Sequence, residues 1–393
     1  MKAISPRKIC FITGTRADFG IMSRLMKDLC QVEGVTLQIV ATNMHLSARH
    51  GMTVDEITAE GLHVDERVEM DLSGDDRRST VKSMSQCLGG MADALDRLKP
   101  DICVILGDRY EMLAAASAAM IMGVPVAHLY GGEITEGAYD DSIRHAITKL
   151  SRIHFTSTEE YRRRIIAMGE DPSTVYRVGA LGADNIASMS VMTLGELEES
   201  LGMSLSDEFL LATFHPVTLE PGQAAAQTRA LLEALQERLG QTKVLFTMPN
   251  SDSEGDTVAS LITAWAQRHP GCVKAVASLG RARYYSALRH CMAVVGNSSS
   301  GLTEAPSMGV PTLNIGNRQR GRAQGATIVN CEATRGDISA GLDMVMSREM
   351  RDRCRRNPDN PYAFHGTLEA IMKVLLSTPL PLPAFKPFYD VEW

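Results

Sequence analysis

The hydrophobic positions of this chain form short apolar runs that alternate with stretches of helical spacing. Ile21, Leu25 and Leu29 recur every four residues, as on one face of a helix, and 110–122 and 140–150 also show helical patterns. The apolar runs of the first half lie at 8–13, 36–42, 101–106, 124–129, 153–156 and 175–178. Runs of strand length separated by helices indicate a parallel α/β sheet.

A second series of the same kind follows an acidic, weakly apolar stretch at about 188–207. Its predicted strands and helices lie at 209–214, 224–239, 243–248, 293–296, 311–315 and 362–376. A chain of 393 residues is also too long for one ordinary core. We therefore predict two Rossmann-like α/β domains, 1–187 and 188–364, facing each other across a cleft. A ligand would lie at the carboxyl ends of both sheets.

Composition and charge disfavour several functional classes for this chain. The formal net charge is −7, which disfavours nucleic acid and acidic membranes as partners. No apolar stretch reaches the roughly 20 residues that a membrane-spanning helix needs, and the N-terminus lacks a signal-peptide pattern. The eight cysteines are scattered without a C-x-x-C or a zinc spacing. We expect a cytoplasmic protein with reduced thiols and no metal, in which local arginines and backbone amides hold any anionic ligand.

Three loops suit such an anion. The loop at 14–20 lies between a predicted strand and helix, but its spacing is neither G-x-G-x-x-G nor a Walker loop, which disfavours NAD and ATP. A serine-rich loop follows the strand at 293–296, and an arginine-rich loop follows the strand at 311–315. Each could equally be a structural turn, helix cap or solvated surface. The candidate contacts in these loops are Arg16, Asp18, Asn297, Ser298, Ser299, Ser300, Gly301, Glu304, Arg318 and Arg322.

Candidate proton carriers follow three other predicted strands. Asp108 comes directly after a buried strand, where it is either a general acid or base or a cap of the next helix. Glu133 follows a Gly-Gly pair, and Asp140 and Asp141 lie where they could also begin a helix or pair with a later arginine. His215 ends a buried run and precedes a proline, a position that favours hydrogen bonding or proton transfer over metal binding.

In this order, the motifs closely resemble the hydrolysing UDP-N-acetylglucosamine 2-epimerase family of sialic and related nonulosonic acid pathways. The resemblance covers essentially the whole chain. Its most specific segments are GTRADFG (14–20), LGDRYEMLAAA (106–116), HLYGGEITEGAYDDSIRHAITKLS (128–151), TSTEEYRRRI (156–165), FHPVT (214–218) and NSSSGLTEAPSMGVPTLNIGNRQRGR (297–322). The resemblance implies a GT-B-like pair of domains, with a C-terminal helix and tail (about 365–393) packing on the first. It also implies a homodimer or homotetramer and no cofactor.

The implied reaction converts UDP-GlcNAc to ManNAc and UDP. UDP is eliminated as the C2 proton is removed, and water adds to the resulting glycal. The resemblance implies acid or base roles for Asp108, Glu133 and either Asp140 or Asp141. Some relatives carry a glutamate before the Gly-Gly pair, where this chain has Tyr130. The implied contacts with nucleotide and diphosphate are Arg16, Arg109, His215, Ser298, Ser299, Glu304 and Arg318.

Four alternatives remain open at this point. The same reaction could act on UDP-N,N'-diacetylbacillosamine, in legionaminic acid synthesis. A non-hydrolysing epimerase would keep the nucleotide sugar intact, but GTRAD and SIRHAITK favour the hydrolysing class. A GT-B glycosyltransferase would need an acceptor, and a UDP-sugar sensor would bind without turnover.

Overall fold

The computed structural model describes residues 6–74, 76–188, 191–205, 208–250, 252–383 and 385–391. It divides the chain into two compact units. The first comprises residues up to Glu133, Asp140–Asn185 and the segment from Phe364 onward, and the second comprises Ile134–Tyr139 and Ile186–Ala363. The sequence predicted boundaries at 187/188 and 364/365. It did not predict that residues 134–139 belong to the second unit. Of the stretch predicted to connect the domains, residues 189, 190, 206 and 207 lie outside the described residues.

The first unit is built on a parallel sheet whose strand order is 3-2-1-4-5-6-7. Its strands are β1 (Arg7–Thr13), β2 (Val35–Thr42), β3 (Glu66–Val68), β4 (Ile102–Leu106), β5 (Val126–Leu129), β6 (Ile153–Thr156) and β7 (Val175–Arg177). Its helices are α1 (Arg16–Cys30), α2 (Val54–Ala59), α3 (Arg77–Leu98), α4 (Tyr110–Ile121), α5 (Asp140–Leu150), α6 (Glu159–Ala167) and most of α7 (Leu181–Ser188), with a last helix at Thr367–Ser377.

The second unit repeats the order, with a parallel sheet of order 10-9-8-11-12-13 in the described residues. The strands are β8 (Phe209–Thr213), β9 (Lys243–Thr247), β10 (Val273–Val276), β11 (Ala293–Gly296), β12 (Thr312–Ile315) and β13 (Ile328–Cys331). The helices are α8 (Leu194–Leu201), α9 (Ala224–Gln236), α10 (Gly255–Arg268), α11 (Gly280–His290), α12 (Ser300–Thr303), α13 (Arg335–Met346) and α14 (Arg348–Arg356), so the last helix of the chain is α15.

Alternation along the strands explains why helices cover both faces of the first sheet. Ile9 and Phe11 of β1 belong to one buried cluster with residues of α1 and α15, whereas Cys10 and Ile12 belong to another with residues of α3 and α4. Successive side chains of a strand point to opposite faces, so a strand buried on both sides reads as a continuous apolar run. The apolar runs at 8–13 and 101–106 predicted β1 and β4 for this reason.

One predicted loop is wrong in part. The expected loop at 14–20 ends at Thr15, because α1 begins at Arg16. Thr15 is the N-cap residue: its side chain accepts from the Asp18 amide, and the Asp18 carboxylate accepts from the Thr15 amide. This reciprocal capping box starts the helix two residues after β1. Arg16 and Asp18 thus lie in the first turn of a helix.

The C-terminal segment contacts the first unit through a buried carboxylate. Lys386 Nζ donates to Glu170 at 2.6 Å, and Lys149 Nζ and His154 Nε2 contact the same carboxylate at 2.7 and 3.0 Å. Burial alone would raise the pKa of Glu170, but the hydrogen bonds from His154, Lys149 and Lys386 outweigh it and lower that pKa to about 2. Tyr389 adds a backbone bond to Gly169. None of the described helices is long and apolar enough to span a membrane.

We expect Glu170→Gln to change how stability depends on acid. The native pKa of Glu170, about 2, lies below its ordinary 4.5, so the ionised carboxylate stabilises the fold above pH 4.5 and this contribution is lost as pH falls toward 2. The difference in free energy of unfolding between wild type and variant should be constant above pH 4.5 and shrink below it. Urea unfolding at a series of pH values measures this, with the exposed Glu199→Gln as control. A difference that stays constant down to pH 2 would contradict it.

Candidate active site

The strand order of each sheet decides where its functional loops meet. In the first sheet, the chain adds β2 and β3 on one side of β1 and then adds β4 to β7 on the other side, so the direction of strand addition reverses between β1 and β4. The same reversal occurs between β8 and β11 in the second sheet. In open parallel sheets, the loops that leave such neighbouring strands at their carboxyl ends diverge and leave a crevice. Gly14 and Asp108 follow β1 and β4, and His215 and Asn297 follow β8 and β11. Three of the residues predicted from the sequence, Asp108, His215 and Asn297, therefore lie beside these crevices, the place where open parallel sheets typically bind ligands.

A buried arginine contacts three of the predicted proton carriers. Arg144, in α5, is 1% exposed, and its guanidinium binds the carboxylate of Asp108. It also donates to the backbone carbonyl of Glu133 at 2.9 Å and lies 3.7 Å from Asp141. The sequence suggested only that Arg144 forms an ion pair with Asp140 or Asp141 on the same helix. Its contact with Asp108 spans 36 positions and could not be read from spacing along one helix.

The carboxylates around Arg144 differ in exposure. Glu133 is 1% exposed and accepts a hydrogen bond from Ser157 Oγ at 2.8 Å, whereas the side chain of Asp108 is 21% exposed. Asp140 is buried at the start of α5, and Asp141 is 29% exposed and 3.6 Å from His145 Nε2. A charged, partly accessible carboxylate beside a fixed guanidinium can exchange a proton with a ligand. Asp108 combines these properties most clearly.

A histidine that the sequence did not single out supports the Asp108 loop. His128 is fully buried in β5, and its Nε2 donates to the carbonyl of Gly107 at 2.7 Å. Thr148 Oγ1 lies 3.3 Å from the other ring nitrogen. Burial lowers the pKa of His128 to about 3, so its imidazole is neutral at physiological pH. The neutral ring donates from one nitrogen and accepts at the other.

Tyr130 directly follows β5 and precedes the Gly131-Gly132 pair. Its backbone has a positive φ of 67°, an uncommon conformation for a non-glycine residue. Its hydroxyl accepts from the amide of Gly182 at 3.2 Å, and its amide donates to the carbonyl of Phe155 at 2.9 Å. Tyr130 therefore helps hold the turn that leads to Glu133.

The two central loops of the second unit are joined by reciprocal hydrogen bonds. Asn297 Oδ1 accepts from the amide of His215 at 2.7 Å, and Asn297 Nδ2 donates to the His215 carbonyl at 2.8 Å. The amide of Asn250 lies 3.3 Å from His215 Nδ1, which makes that nitrogen the acceptor and leaves the proton on Nε2. Asn297 is fully buried and fixes the loops to each other. Its expected contact with a ligand stays a prediction.

The serine-rich loop is short and well bonded. Ser299 precedes the four-residue helix α12, Ser300 Oγ accepts from the hydroxyl of Tyr284, and the carbonyl of Gly301 accepts from a threonine hydroxyl of β12. Glu304 is 4% exposed and lies between α12 and a 3₁₀ turn at Ala305–Met308. Pro306 has no amide to continue the α-helical hydrogen bonds, and the chain changes to a 3₁₀ turn there. Ser298 is half-buried beside Asn297.

The arginine-rich loop contacts the serine-rich one. Arg318 Nη1 and Gln319 Nε2 both donate to the carbonyl of Asn297, at 3.1 and 2.8 Å. Arg322 donates to Thr135 in the 134–139 segment at 3.4 Å. Gln319 is 1% exposed and was missed by the sequence, because a buried amide in a polar loop carries no pattern. The described residues contain no group of three or more histidine, cysteine, aspartate or glutamate side chains placed to hold a metal ion.

Comparison with known proteins agrees with this architecture. The profile of the UDP-N-acetylglucosamine 2-epimerase family matches residues 27–376. The chain belongs to this family. The family resemblance predicted from the motifs is thereby confirmed, as is the fold class of two Rossmann-like units.

Two relatives and one crystal structure show how similar this chain is to other proteins of the family. The GDP/UDP-N,N'-diacetylbacillosamine 2-epimerase (hydrolyzing) of Campylobacter jejuni is 37% identical over 348 residues, covering 88% of this chain and 90% of that protein. Polysialic acid biosynthesis protein P7 of Escherichia coli is 31% identical over 386 residues, covering 98% of each. The crystal structure of Neisseria meningitidis UDP-GlcNAc 2-epimerase bound to UDP-GlcNAc has a TM-score of 0.76 at 16% identity, covering 94% of this chain and all of that one.

We expect Arg144→Gln to destabilise the first unit strongly. The substitution removes the guanidinium that neutralises Asp108 in a mostly buried setting and should lower the free energy of unfolding by about 3 kcal/mol. Urea unfolding of both proteins at pH 7 measures the change. Arg163→Gln is the matched control, because Arg163 is 79% exposed and its 3.5 Å ion pair with Glu159 should be worth under about 1 kcal/mol. Equal effects of the two substitutions would contradict the assigned role of Arg144.

Proposed function

We propose that the chain is a hydrolysing 2-epimerase that converts UDP-GlcNAc to free ManNAc and UDP. The observation that carries the proposal is the buried guanidinium of Arg144, which binds the Asp108 carboxylate and the Glu133 backbone at the carboxyl ends of β4 and β5. Such a site supplies acid and base groups in one place. Membership of the 2-epimerase family supports the substrate class.

The proposed chemistry proceeds in two stages. A carboxylate removes the proton from C2 of the sugar, the C1–O bond to the diphosphate breaks with its electron pair leaving on UDP, and a C1–C2 double bond forms. Water then adds its oxygen to C1, and a proton returns to C2 on the opposite face. We assign these proton transfers to Asp108, Glu133 and either Asp140 or Asp141, with His215 as a further candidate.

The leaving diphosphate needs positive charge and hydrogen-bond donors where its own charge develops. We propose that Arg16 and Arg109 supply them in the first unit, and Arg318 and Arg322 in the second. Nucleotide contacts are assigned to the serine-rich loop, with Glu304 binding the ribose hydroxyls. A homodimer or homotetramer is part of the same proposal, and light scattering of the purified protein would measure it.

A second substrate is favoured by a specific observation. The Campylobacter relative, at 37% identity, carries the name of a hydrolysing diacetylbacillosamine 2-epimerase, whereas the Escherichia coli relative belongs to polysialic acid biosynthesis. The two substrates share the UDP group, the leaving-group chemistry and the reacting carbons. They differ at C4 and C6 of the sugar, so the same proton carriers serve both.

We expect Asp108→Asn to separate chemistry from binding. The asparagine oxygen can still accept from Arg144, but the side chain no longer takes up a proton, so turnover should fall at least about a hundredfold. Affinity for UDP should stay within about threefold of wild type, because the geometry is kept. UDP release measured by chromatography and UDP binding measured by calorimetry test this, with the exposed Glu160→Gln as control. Undiminished turnover in Asp108→Asn would remove Asp108 from the mechanism.

A direct product assay should identify both reaction and substrate. We expect mass spectrometry and NMR to show UDP plus a free 2-epimeric sugar from UDP-GlcNAc, with UDP-N,N'-diacetylbacillosamine tested in parallel. A higher kcat/KM for one nucleotide sugar assigns the substrate. Intact UDP-ManNAc would indicate a non-hydrolysing epimerase, turnover only with an added acceptor a glycosyltransferase, and binding without turnover a sensor.

A further inference from the structure

A wholly buried glutamate lies against the turn that follows β1 and the loop that follows β4. Glu111, in the first turn of α4, is 0% exposed. Its carboxylate contacts Arg109 and lies against Gly14, the first residue after β1. We propose that Glu111 is a positioning residue that fixes Arg109 and the Gly14 turn in a single arrangement for binding a nucleoside diphosphate. The inference rests on the proposed function and adds to it the residue that orients the diphosphate-binding arginine.

The contact with Arg109 fixes the direction of its guanidinium. Arg109 Nε donates to Glu111 Oε1 at 2.7 Å, and the Arg109 side chain is only 11% exposed. Its guanidinium carbon also lies 5.5 Å from the centre of the Tyr110 ring. A charge-assisted bond through Nε in a buried setting restricts rotation of the planar group, so the terminal nitrogens keep one orientation. An arginine held in this way binds phosphate without first losing side-chain entropy.

The contact with Gly14 joins the second loop to the same carboxylate. A Cβ atom added at Gly14 would lie 2.5 Å from Glu111 Oε1 and 3.0 Å from its Cγ, and its three nearest atoms all belong to Glu111. Gly14 is not among the residues with positive φ, so its backbone conformation would accept any L-residue. Glycine is therefore required here because Glu111 occupies the space. Glu111 cannot retreat without giving up its bond to Arg109.

The other side of the same turn is fixed by Asp18. Its Oδ2 accepts from the amides of Gly14 and Thr15, at 2.8 and 3.1 Å. The turn thus lies between two buried carboxylates, with Arg109 as the cation close to both. Burial raises the pKa of Glu111 and of Asp18, and the charge of Arg109 opposes the shift in each.

The second oxygen of Glu111 argues for a role beyond stability. Oε2 is buried and has no hydrogen-bond partner within the part of the chain that the structure describes. An unsatisfied buried carboxylate oxygen costs free energy of folding, so a side chain present only for stability would not be expected at this position. Local arrangements that are unfavourable for folding are typical of functional sites.

A double-mutant cycle on Gly14 and Glu111 tests the proposal, with UDP as the probe. We expect Gly14→Ala and Glu111→Ala each to weaken UDP binding at least about tenfold, because each misplaces Arg109 or the turn. The double variant should bind no more weakly than Glu111→Ala alone, because removing the glutamate removes the clash with the new methyl group. Glu111→Gln should stay within about threefold of wild type, because its amide oxygen can still accept from Arg109 Nε.

Two further variants keep the test decisive. Should Glu111→Ala fail to fold, Glu111→Asp serves instead: the side chain is one methylene shorter, so Gly14→Ala should cost less UDP affinity in this background than in wild type. Gly89→Ala is the matched control, since a Cβ there would meet nothing within 4 Å. It should leave UDP affinity unchanged.

The outcomes distinguish positioning from a structural role. Additive effects of Gly14→Ala and Glu111→Ala on UDP affinity would overturn the proposal. So would a loss of melting temperature with unchanged UDP affinity, which is the signature of a structural role, and so would a wild type that does not bind UDP. A wild type that binds UDP with the expected pattern across the variants, but forms no 2-epimer, would overturn the proposed function and leave the positioning role standing.

Discussion

The site depends on one buried charge, the guanidinium of Arg144. It is the largest of the fully buried side chains in the described residues, and it comes from α5 to contact Asp108 and the backbone of Glu133. A buried cation is tolerated only where anions and carbonyls surround it, so its position constrains the loops after β4 and β5 together. The Asp108 carboxylate and the backbone of Glu133 are thus held by one side chain of α5.

At the centre of the second sheet, an uncharged buried side chain joins two loops in the same way. Asn297 and the backbone of His215 exchange two hydrogen bonds, and the carbonyl of Asn297 accepts from Arg318 and Gln319. Gly296 completes the arrangement, because a Cβ there would overlap the carbonyl oxygen of Thr213. In each unit a buried polar side chain joins loops that leave different strands. The strand order brings those loops together, and the polar contact decides their spacing.

Much of the fold could be predicted because buried parallel strands are continuous apolar runs. β1, β4 and β8 were found in this way, and with them the residues that follow each strand. Three of the four edge strands of the described sheets were not found: β3 has three residues, and β10 and β13 are only partly buried, so none of them carries a strong pattern. The fourth edge strand, β7, was predicted at 175–178. Contacts between residues distant in sequence could not be predicted either. Arg144 with Asp108, Ser157 with Glu133 and Glu111 with Gly14 are contacts that exist only once the sheet has formed.

The divided first unit has a consequence for how the protein is made. Its sheet is complete by β7, yet α15, which covers that sheet, and Lys386, which contacts Glu170, are encoded after the entire second unit. During translation the ribosome therefore releases β1–β7 with the apolar face that receives Leu368, Ile371 and Leu375 still uncovered. That face stays exposed while the second unit is synthesised. The residues that close the first core emerge only after the second unit.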